Sequence, residues 1–287
     1  MRGPFLIVTA DDFGLHEAVN DAVRQAAAGG ILTAASLMVA APASAAAVRL
    51  AATLPKLRVG LHLVLVDGYC VLPPRLIPAL VDTSGRFSDA MVWNSVCFVA
   101  SRKVRAQLAA EIRAQFEAFA RTGLELDHVN AHKHFHLHPL ILDLVMRVGS
   151  EFGLSAVRVP QEPFWYSRLA GAASSAVFLL PWLAMMRWRL RAGGMTVNDH
   201  VFGVASSGRL DSQKLIDILG RLPPGVTEIY LHPATSLSGP ITESMRTYRH
   251  SDELEALLSP VVRAALAASG AVCGGYRDLQ TYNAQTC

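Results

Sequence analysis

The sequence contains little charge, few cysteines and no basic run in its first two-thirds. Asp, Glu, Lys and Arg account for 17% of its 287 residues, and the formal net charge is only +3. A balance this close to neutral gives no sign of nucleic acid as a partner. The amino-terminal segment MRGPFLIVTADDFG has four apolar residues in a row before two acids, whereas a secretory signal needs roughly 7–15. We therefore predict a cytoplasmic protein.

The four cysteines are Cys70, Cys97, Cys273 and Cys287. None of them forms a CxxC pair, and their spacing resembles neither a zinc cluster nor a disulfide framework. We interpret them as buried or incidental thiols of a protein in a reducing compartment.

Apolar residues are plentiful, at 52% of the chain, and they fall into strand-like runs that alternate with helix-like runs. The predicted strands cover 5–9, 32–39, 57–66, 126–131, 156–159 and 228–231, and the predicted helices cover 16–28, 43–54, 103–121, 140–152 and 212–221. Repeated βα units predict an α/β fold with a parallel sheet, either open or closed into a barrel.

Polar clusters stand at or near the ends of these predicted strands. They are Asp11-Asp12, His62, His132, Arg158 and His232. Because functional groups of parallel α/β folds sit at the carboxyl ends of the strands, we expect these side chains to share one site.

Asp11 and Asp12 directly follow the first strand. Adjacent side chains on an extended segment point to opposite faces, so the two carboxylates should do different work. One can bind a metal ion while the other takes a proton from water. The alternative is that one of them only caps the helix that follows.

The densest signal is the segment DHVNAHKHFHLHP at 127–139, whose histidines are His128, His132, His134, His136 and His138. All five occupy even positions, so an extended segment would direct them to one face. Imidazole is a common metal ligand, which favours a metal site. A metal-sequestering histidine tract is the alternative, but it leaves the strand-end acids without a role.

Two single histidines complete the set. His62 lies inside an otherwise apolar strand, where a lone histidine is more often a core residue than a ligand, but its position beside other candidate ligands favours a ligand. His232 ends the last clear strand before Pro233. It is either a general acid or a histidine packed beside a proline turn.

Four motifs together resemble the YdjC-like carbohydrate deacetylases: TADDFG, GLHLVL, DHVNAHKHFHLHP and YLHPA. Within that family, the chain is most similar to the hopanoid-biosynthesis-associated branch. The resemblance runs from residue 6 to about 257 and is interrupted between about 165 and 205. It implies a distorted (β/α) TIM-like barrel in a single domain over 1–287, with an apolar insertion or lid at about 165–205.

The resemblance also implies roles for individual residues. Asp12, His62 and His132 would hold one divalent metal ion, Asp11 would be the base that activates water, and His232 the acid that protonates the departing amine. On ligand type we favour Zn²⁺, with Mg²⁺, Ni²⁺, Co²⁺ or Mn²⁺ as alternatives. Further candidates for substrate contact are Asn20, His134 and Arg158.

The segment 170–191 is apolar for about seventeen residues, is broken by Pro181, and ends in Arg187, Arg189 and Arg191. A membrane-spanning helix needs about 20 apolar residues, so a buried helix pair or a lid that contacts the membrane surface is favoured over a span. The lid would suit an enzyme at the inner face of the membrane.

The resemblance implies an N-acetylglucosaminyl hopanoid as the substrate of such an enzyme. A soluble chito-oligosaccharide is the alternative amino-sugar substrate. A non-catalytic His-rich metal-binding protein and a phosphoesterase on the same barrel are the competing functions.

Overall fold

The computed structural model describes residues 3–90, 101–169, 173–236 and 239–284. The strands are β1 (Phe5–Phe13), β2 (Ala34–Leu37), β3 (Arg58–Leu63), β4 (Val129–Ala131), β5 (His200–Phe202), β6 (Val226–Leu231) and β7 (Val272–Cys273). The helices are α1 (Glu17–Gly29), α2 (Ser44–Ala51), α3 (Arg102–Arg121), α4 (Pro139–Glu151), α5 (Phe164–Leu169), α6 (Ala173–Ala192), α7 (Ser212–Leu219), α8 (His250–Leu258), α9 (Pro260–Ser269) and α10 (Asp278–Ala284).

All strand pairs of the sheet are parallel, in the order β4-β3-β2-β1-β6-β5. The short β7 also pairs with β1, where Phe5 faces Val272. β2 joins β1 further along, where Thr9 faces Ala34. β1 is thus the central strand.

Two isolated bridges connect the edges of this sheet. Val129 in β4 pairs with Val157, and Ala156 pairs with Thr196, which leads into β5. The predicted strand at 156–159 therefore appears only as bridge pairs, but it links β4 to β5 and curls the sheet toward closure. The predicted α/β fold with a distorted TIM-like barrel is confirmed.

Alternation along β1 separates two cores. Leu6, Val8 and Ala10 belong to the main core that packs with the helices. Phe5 and Ile7 belong to a second cluster with Ala34, Ala156 and Tyr276, which fills the amino end of the barrel. Successive residues of a strand point to opposite faces, so Thr9 and Asp11 continue that inner face toward the carboxyl end.

The histidine block does not continue as an extended strand, and the expectation that an extended segment aligns its histidines fails after β4. Residues His132–Leu137 form a 3₁₀ helix with two left-handed residues inside, Lys133 (φ 52°) and His134 (φ 53°). The chain therefore turns sharply directly after His132, which holds that residue at the strand end.

The apolar segment forms most of α6, while its first residues, 170–172, lie outside the described part. Leu183, Met186 and Leu190 are buried, and the indole of Trp182 donates a hydrogen bond of 2.8 Å to the Leu137 carbonyl. Phe178 and Trp188 are 86% and 69% exposed. Across the described ranges, we find no helix with the length and apolar character needed to cross a membrane. Cys97 and Cys287 also lie outside the described residues, whereas Cys70 and Cys273 are free thiols.

Candidate active site

Three buried side chains meet at the carboxyl ends of β1, β3 and β4: Asp12, His62 and His132. Asp12 Oδ1 lies 3.2 Å from His62 Nε2 and 3.0 Å from His132 Nδ1. The two imidazole nitrogens lie 3.4 Å apart. Each distance is close to the edge of a tetrahedron with metal–ligand bonds of about 2.1 Å.

The surroundings of these residues fit a single divalent metal ion. The second carboxylate oxygen of Asp12, Oδ2, is buried and has no hydrogen-bond partner among the described residues. His62 Nδ1 lies 2.7 Å from the Asn130 side-chain oxygen, to which it donates, so the lone pair on Nε2 faces the other two ligands. One carboxylate and two imidazoles suit Zn²⁺ and similar ions.

The charges of the group reinforce each other. Burial alone would raise the pKa of Asp12, but His132 and His62 hold that pKa well below its usual value. Burial lowers the pKa of His62, yet Asp11 and Asp12 together raise it above 6.5. Asp12 is thus held as a negatively charged carboxylate between the two imidazoles.

Asp11 lies beside this group and is bound by Arg158. The Arg158 guanidinium donates to both Asp11 oxygens, at 2.6 and 3.0 Å, and also pairs with Glu228 at 2.7 Å. Asn130 donates a further hydrogen bond of 3.0 Å to Asp11. Although burial would raise the pKa of Asp11, Arg158 keeps it below its ordinary value. Asp11 is therefore an ionised carboxylate beside the triad.

His232 also lies near Asp12, with its Nε2 4.0 Å from Asp12 Oδ2. Burial lowers the pKa of His232 to about 4, so the ring is neutral at pH 7. Its backbone is fixed from both sides by α8. Its N–H donates to Glu253 at 2.5 Å, and its carbonyl accepts from His250 at 2.6 Å.

These groups surround a cavity of about 190 Å³ whose lining includes Asp11, His62, His132, Lys133, His134, Tyr230, His232, Ser244 and Tyr248. A second, more apolar groove of about 280 Å³ has Leu137, Pro160, Leu179, Leu180 and Leu183 in its wall. His134 and Val204 line both spaces. The polar cavity therefore adjoins an apolar groove beside α6.

Of the three residues predicted to contact the substrate, one lines the cavity and two are buried away from it. His134 lines the cavity, and its Nε2 lies 2.9 Å from the Tyr230 hydroxyl. Arg158 is fully buried beneath Asp11 and holds that carboxylate. Asn20 is buried on α1, where it accepts from the Gly14 N–H and donates to the Ala43 carbonyl. The described lining of the cavity includes neither Arg158 nor Asn20, because both serve neighbouring protein groups instead.

The sequence patterns assigned no role to Asn130 or Tyr230. Each lies two residues before a predicted functional histidine, His132 or His232, on a strand. Residues two apart on a strand share a face, so this spacing was the signal that could have found them. Tyr248 follows a loop and carries no such signal.

Comparison with known proteins identifies the class. The family described as "YdjC-like protein" matches residues 5–268, so the chain belongs to the YdjC-like family.

A carbohydrate deacetylase of Geobacillus stearothermophilus is 28% identical over 96% of this chain and 97% of that protein. A chitooligosaccharide deacetylase of Klebsiella pneumoniae is 29% identical over 96% of this chain and 98% of that protein. A carbohydrate deacetylase of Brevibacillus brevis is 37% identical, but the match covers 56% of this chain and only 59% of that protein.

A crystal structure of an Enterococcus faecalis V583 protein, described as a candidate cellobiose-phosphate cleavage protein, has a similar fold. Its TM-score is 0.76 at 22% identity, over 97% of this chain and 99% of that one. At this identity the likeness concerns the fold alone, and it agrees with the curled parallel sheet described above.

Proposed function

We propose that this chain is a metal-dependent N-deacetylase that removes the acetyl group from an N-acetylglucosaminyl conjugate. The prediction of a hydrolytic deacetylase is confirmed by the relatives, since two deacetylases align with almost the whole chain. The observation that carries the proposal is the buried Asp12–His62–His132 group directly beside Asp11, an ionised carboxylate held by Arg158.

A divalent ion held by Asp12, His62 and His132 would polarise the amide carbonyl and lower the pKa of water. The chain's own residues would then move the protons. Asp11 carries its charge at neutral pH and lines the cavity, so it is placed to accept the proton of the attacking water. Arg158 keeps that carboxylate ionised and fixes its orientation through two hydrogen bonds.

The departing nitrogen needs a proton, because an amide anion is a very poor leaving group. His232 lines the same cavity as Asp11 and is the proposed donor. Since burial lowers its pKa to about 4, the ring is neutral at rest. The proton that it delivers to the nitrogen would therefore be the one that Asp11 removes from the attacking water. The backbone hydrogen bonds of His232 to Glu253 and His250 fix its position for both steps.

The finer proposal concerns the group attached to the sugar. The apolar groove beside the cavity, together with exposed Phe178 and Trp188 on α6, favours a conjugate with an apolar part, such as an N-acetylglucosaminyl hopanoid at a membrane surface. A soluble chito-oligosaccharide is the second candidate, and the Klebsiella relative, named for that substrate, supports it.

Acetate release separates these candidates. Purified protein would be given an N-acetylglucosaminyl lipid in vesicles, or diacetylchitobiose, each with and without a chelator. We expect chelator-sensitive release from the lipid at the higher kcat/KM. Faster release from diacetylchitobiose would favour the soluble substrate, whereas tight metal binding with no release from either would favour a non-catalytic metal-binding protein.

A further inference from the structure

Strained backbone is concentrated around the cavity. The described residues include four non-glycine residues with positive φ: Asp12, Asp67, Lys133 and His134. Such conformations persist where the surroundings enforce them, and they cluster at functional sites. Asp12 belongs to the metal group, and Lys133 and His134 line the cavity. The proposed chemistry leaves Asp67 and Lys133 without a role.

Asp67 connects three loops at the rim of the cavity. Its Oδ2 lies 2.7 Å from Lys133 Nζ and accepts a hydrogen bond of 2.6 Å from Ser244 Oγ. Asp67 follows β3, Lys133 lies in the 3₁₀ helix after β4, and Ser244 lies in a second 3₁₀ helix, Glu243–Met245, between β6 and α8. Arg86 is more distant, at 3.8 Å from Oδ1. Lys133 and Ser244 line the cavity, so Asp67 holds two cavity-lining polar groups from behind.

The donors and acceptors of this cluster suit the hydroxyl groups of a sugar. The Lys133 ammonium has three donors, and the contact with Asp67 occupies one of them. Lys133 and Ser244 hold the pKa of Asp67 below its usual value, although burial would raise it, so Asp67 is charged. The remaining N–H groups of Lys133 can donate to sugar hydroxyls. The Ser244 hydroxyl donates its hydrogen to Asp67, so its oxygen can accept from a sugar hydroxyl.

We infer that Lys133 and Ser244, positioned by Asp67, form a subsite for ring hydroxyls of the sugar whose acetamido group enters the cavity. The inference rests on the proposed deacetylase function and adds a specificity element to it. Lys133 and Ser244 bind the sugar, and Asp67 acts through them as a positioning residue.

The test uses Lys133→Met and Asp67→Asn in the metal-loaded full-length protein, with diacetylchitobiose as the probe. Loss of a hydrogen bond from a charged donor corresponds to about a tenfold change in binding. We expect KM to rise about tenfold in both variants, kcat to stay within about twofold, and the bound metal per chain to stay equal to that of the wild type. Lys133→Arg should recover part of the loss.

Monodeoxy analogues of an N-acetylglucosamine glycoside, each lacking one ring hydroxyl, give a readout that a purely structural role would not move. With the wild type, one analogue should have a kcat/KM about tenfold below that of the parent glycoside. With Lys133→Met, the same analogue and the parent glycoside should have equal kcat/KM. Arg113→Met is the matched control, because Arg113 forms an exposed ion pair with Glu151 between α3 and α4, and its kinetics should equal those of the wild type.

The outcomes distinguish a failure of the proposed function from a failure of the proposed subsite. A wild type that releases no acetate from any amino sugar overturns the proposed function, and calorimetric binding of diacetylchitobiose would then test the subsite alone. The subsite is overturned if the wild type is active and Lys133→Met leaves KM unchanged. It is also overturned if every analogue lowers kcat/KM equally in both proteins.

Discussion

Asp11 and Asp12 are neighbours in sequence but belong to different chemical environments. The register between β1 and β2 shifts after Ala10, and Asp12 adopts a left-handed conformation with φ 62°. Asp12 thereby turns toward His62 and His132, while Asp11 stays on the inner face of the barrel against Arg158. The backbone irregularity places Asp12 with His62 and His132 and leaves Asp11 with Arg158, which supports the proposed division into a metal ligand and a base.

Asp11→Asn removes the proposed base but none of the three ligands. We expect at least a 10²-fold loss of kcat, in line with general-base catalysis, while the protein still binds one metal ion per chain. Acetate release and metal analysis of the same preparation check this. Asp12→Ala is the control, since it should lose both metal and activity. Full turnover by the Asp11→Asn protein would show that Asp11 is not the general base.

Arg158→Met tests the buried charge network. The substitution leaves the buried Asp11 and Glu228 carboxylates without their cationic partner, which typically costs about 3–5 kcal/mol of stability. Urea denaturation should therefore show a strongly lowered free energy of unfolding. Arg113→Met breaks an exposed pair with Glu151 and should lower the free energy of unfolding far less. Equal losses in the two variants would contradict the structural role of Arg158.

At the scale of elements, strong apolar patterns predicted best. The observed β1, β3 and β6 overlap the predicted strands because each is a buried apolar run. β5 and β7 were missed, since they have only three and two residues and their pairing depends on distant strands. The same limit explains Arg158: its strand-end position was visible in the sequence, but its burial depends on how 156–159 links β4 to β5.

Helix α6 carries the prediction for the membrane surface. Phe178→Ser with Trp188→Ser removes two of its most exposed apolar side chains and leaves the buried stripe intact. We expect weaker co-sedimentation with anionic vesicles and slower turnover of an N-acetylglucosaminyl lipid, with unchanged turnover of diacetylchitobiose. Leu76→Ser is the control, because Leu76 is 55% exposed on a 3₁₀ helix outside the apolar segment. Unaltered vesicle binding would leave α6 as an ordinary surface helix.

At the scale of the whole molecule, the barrel has an apolar amino end and a polar carboxyl end. Thr9 and Tyr276 both donate to Glu228, at 2.6 and 2.7 Å, and Glu228 pairs with Arg158. The network therefore runs from the apolar cluster around Tyr276 to Asp11 at the cavity. Buried polar side chains are nearly always hydrogen-bonded. This network connects the interior of the barrel directly to Asp11, the proposed base.

The same interior keeps histidines neutral, which makes stability depend on pH. His136 is fully buried, its Nε2–H donates to the Arg158 carbonyl at 2.9 Å, and burial lowers its pKa to about 4. In the unfolded chain the pKa is about 6.5. Between these values the unfolded state binds the proton and the folded state does not. His136 therefore stabilises the fold fully above pH 6.5 and loses that contribution as the pH falls toward 4.

His136→Gln removes this titration but keeps a side-chain N–H that can reach the same carbonyl. In metal-free protein, the difference in unfolding free energy between wild type and variant should be largest at pH 7. It should shrink by on the order of 1 kcal/mol per pH unit below 6.5. The comparison with the variant is needed because burial also raises the pKa of Glu253 to about 8, which makes stability depend on pH in the direction opposite to that of His136. Urea denaturation at several pH values measures it, and a difference that stays constant from pH 7 to 5 would show that folding does not lower the pKa of His136.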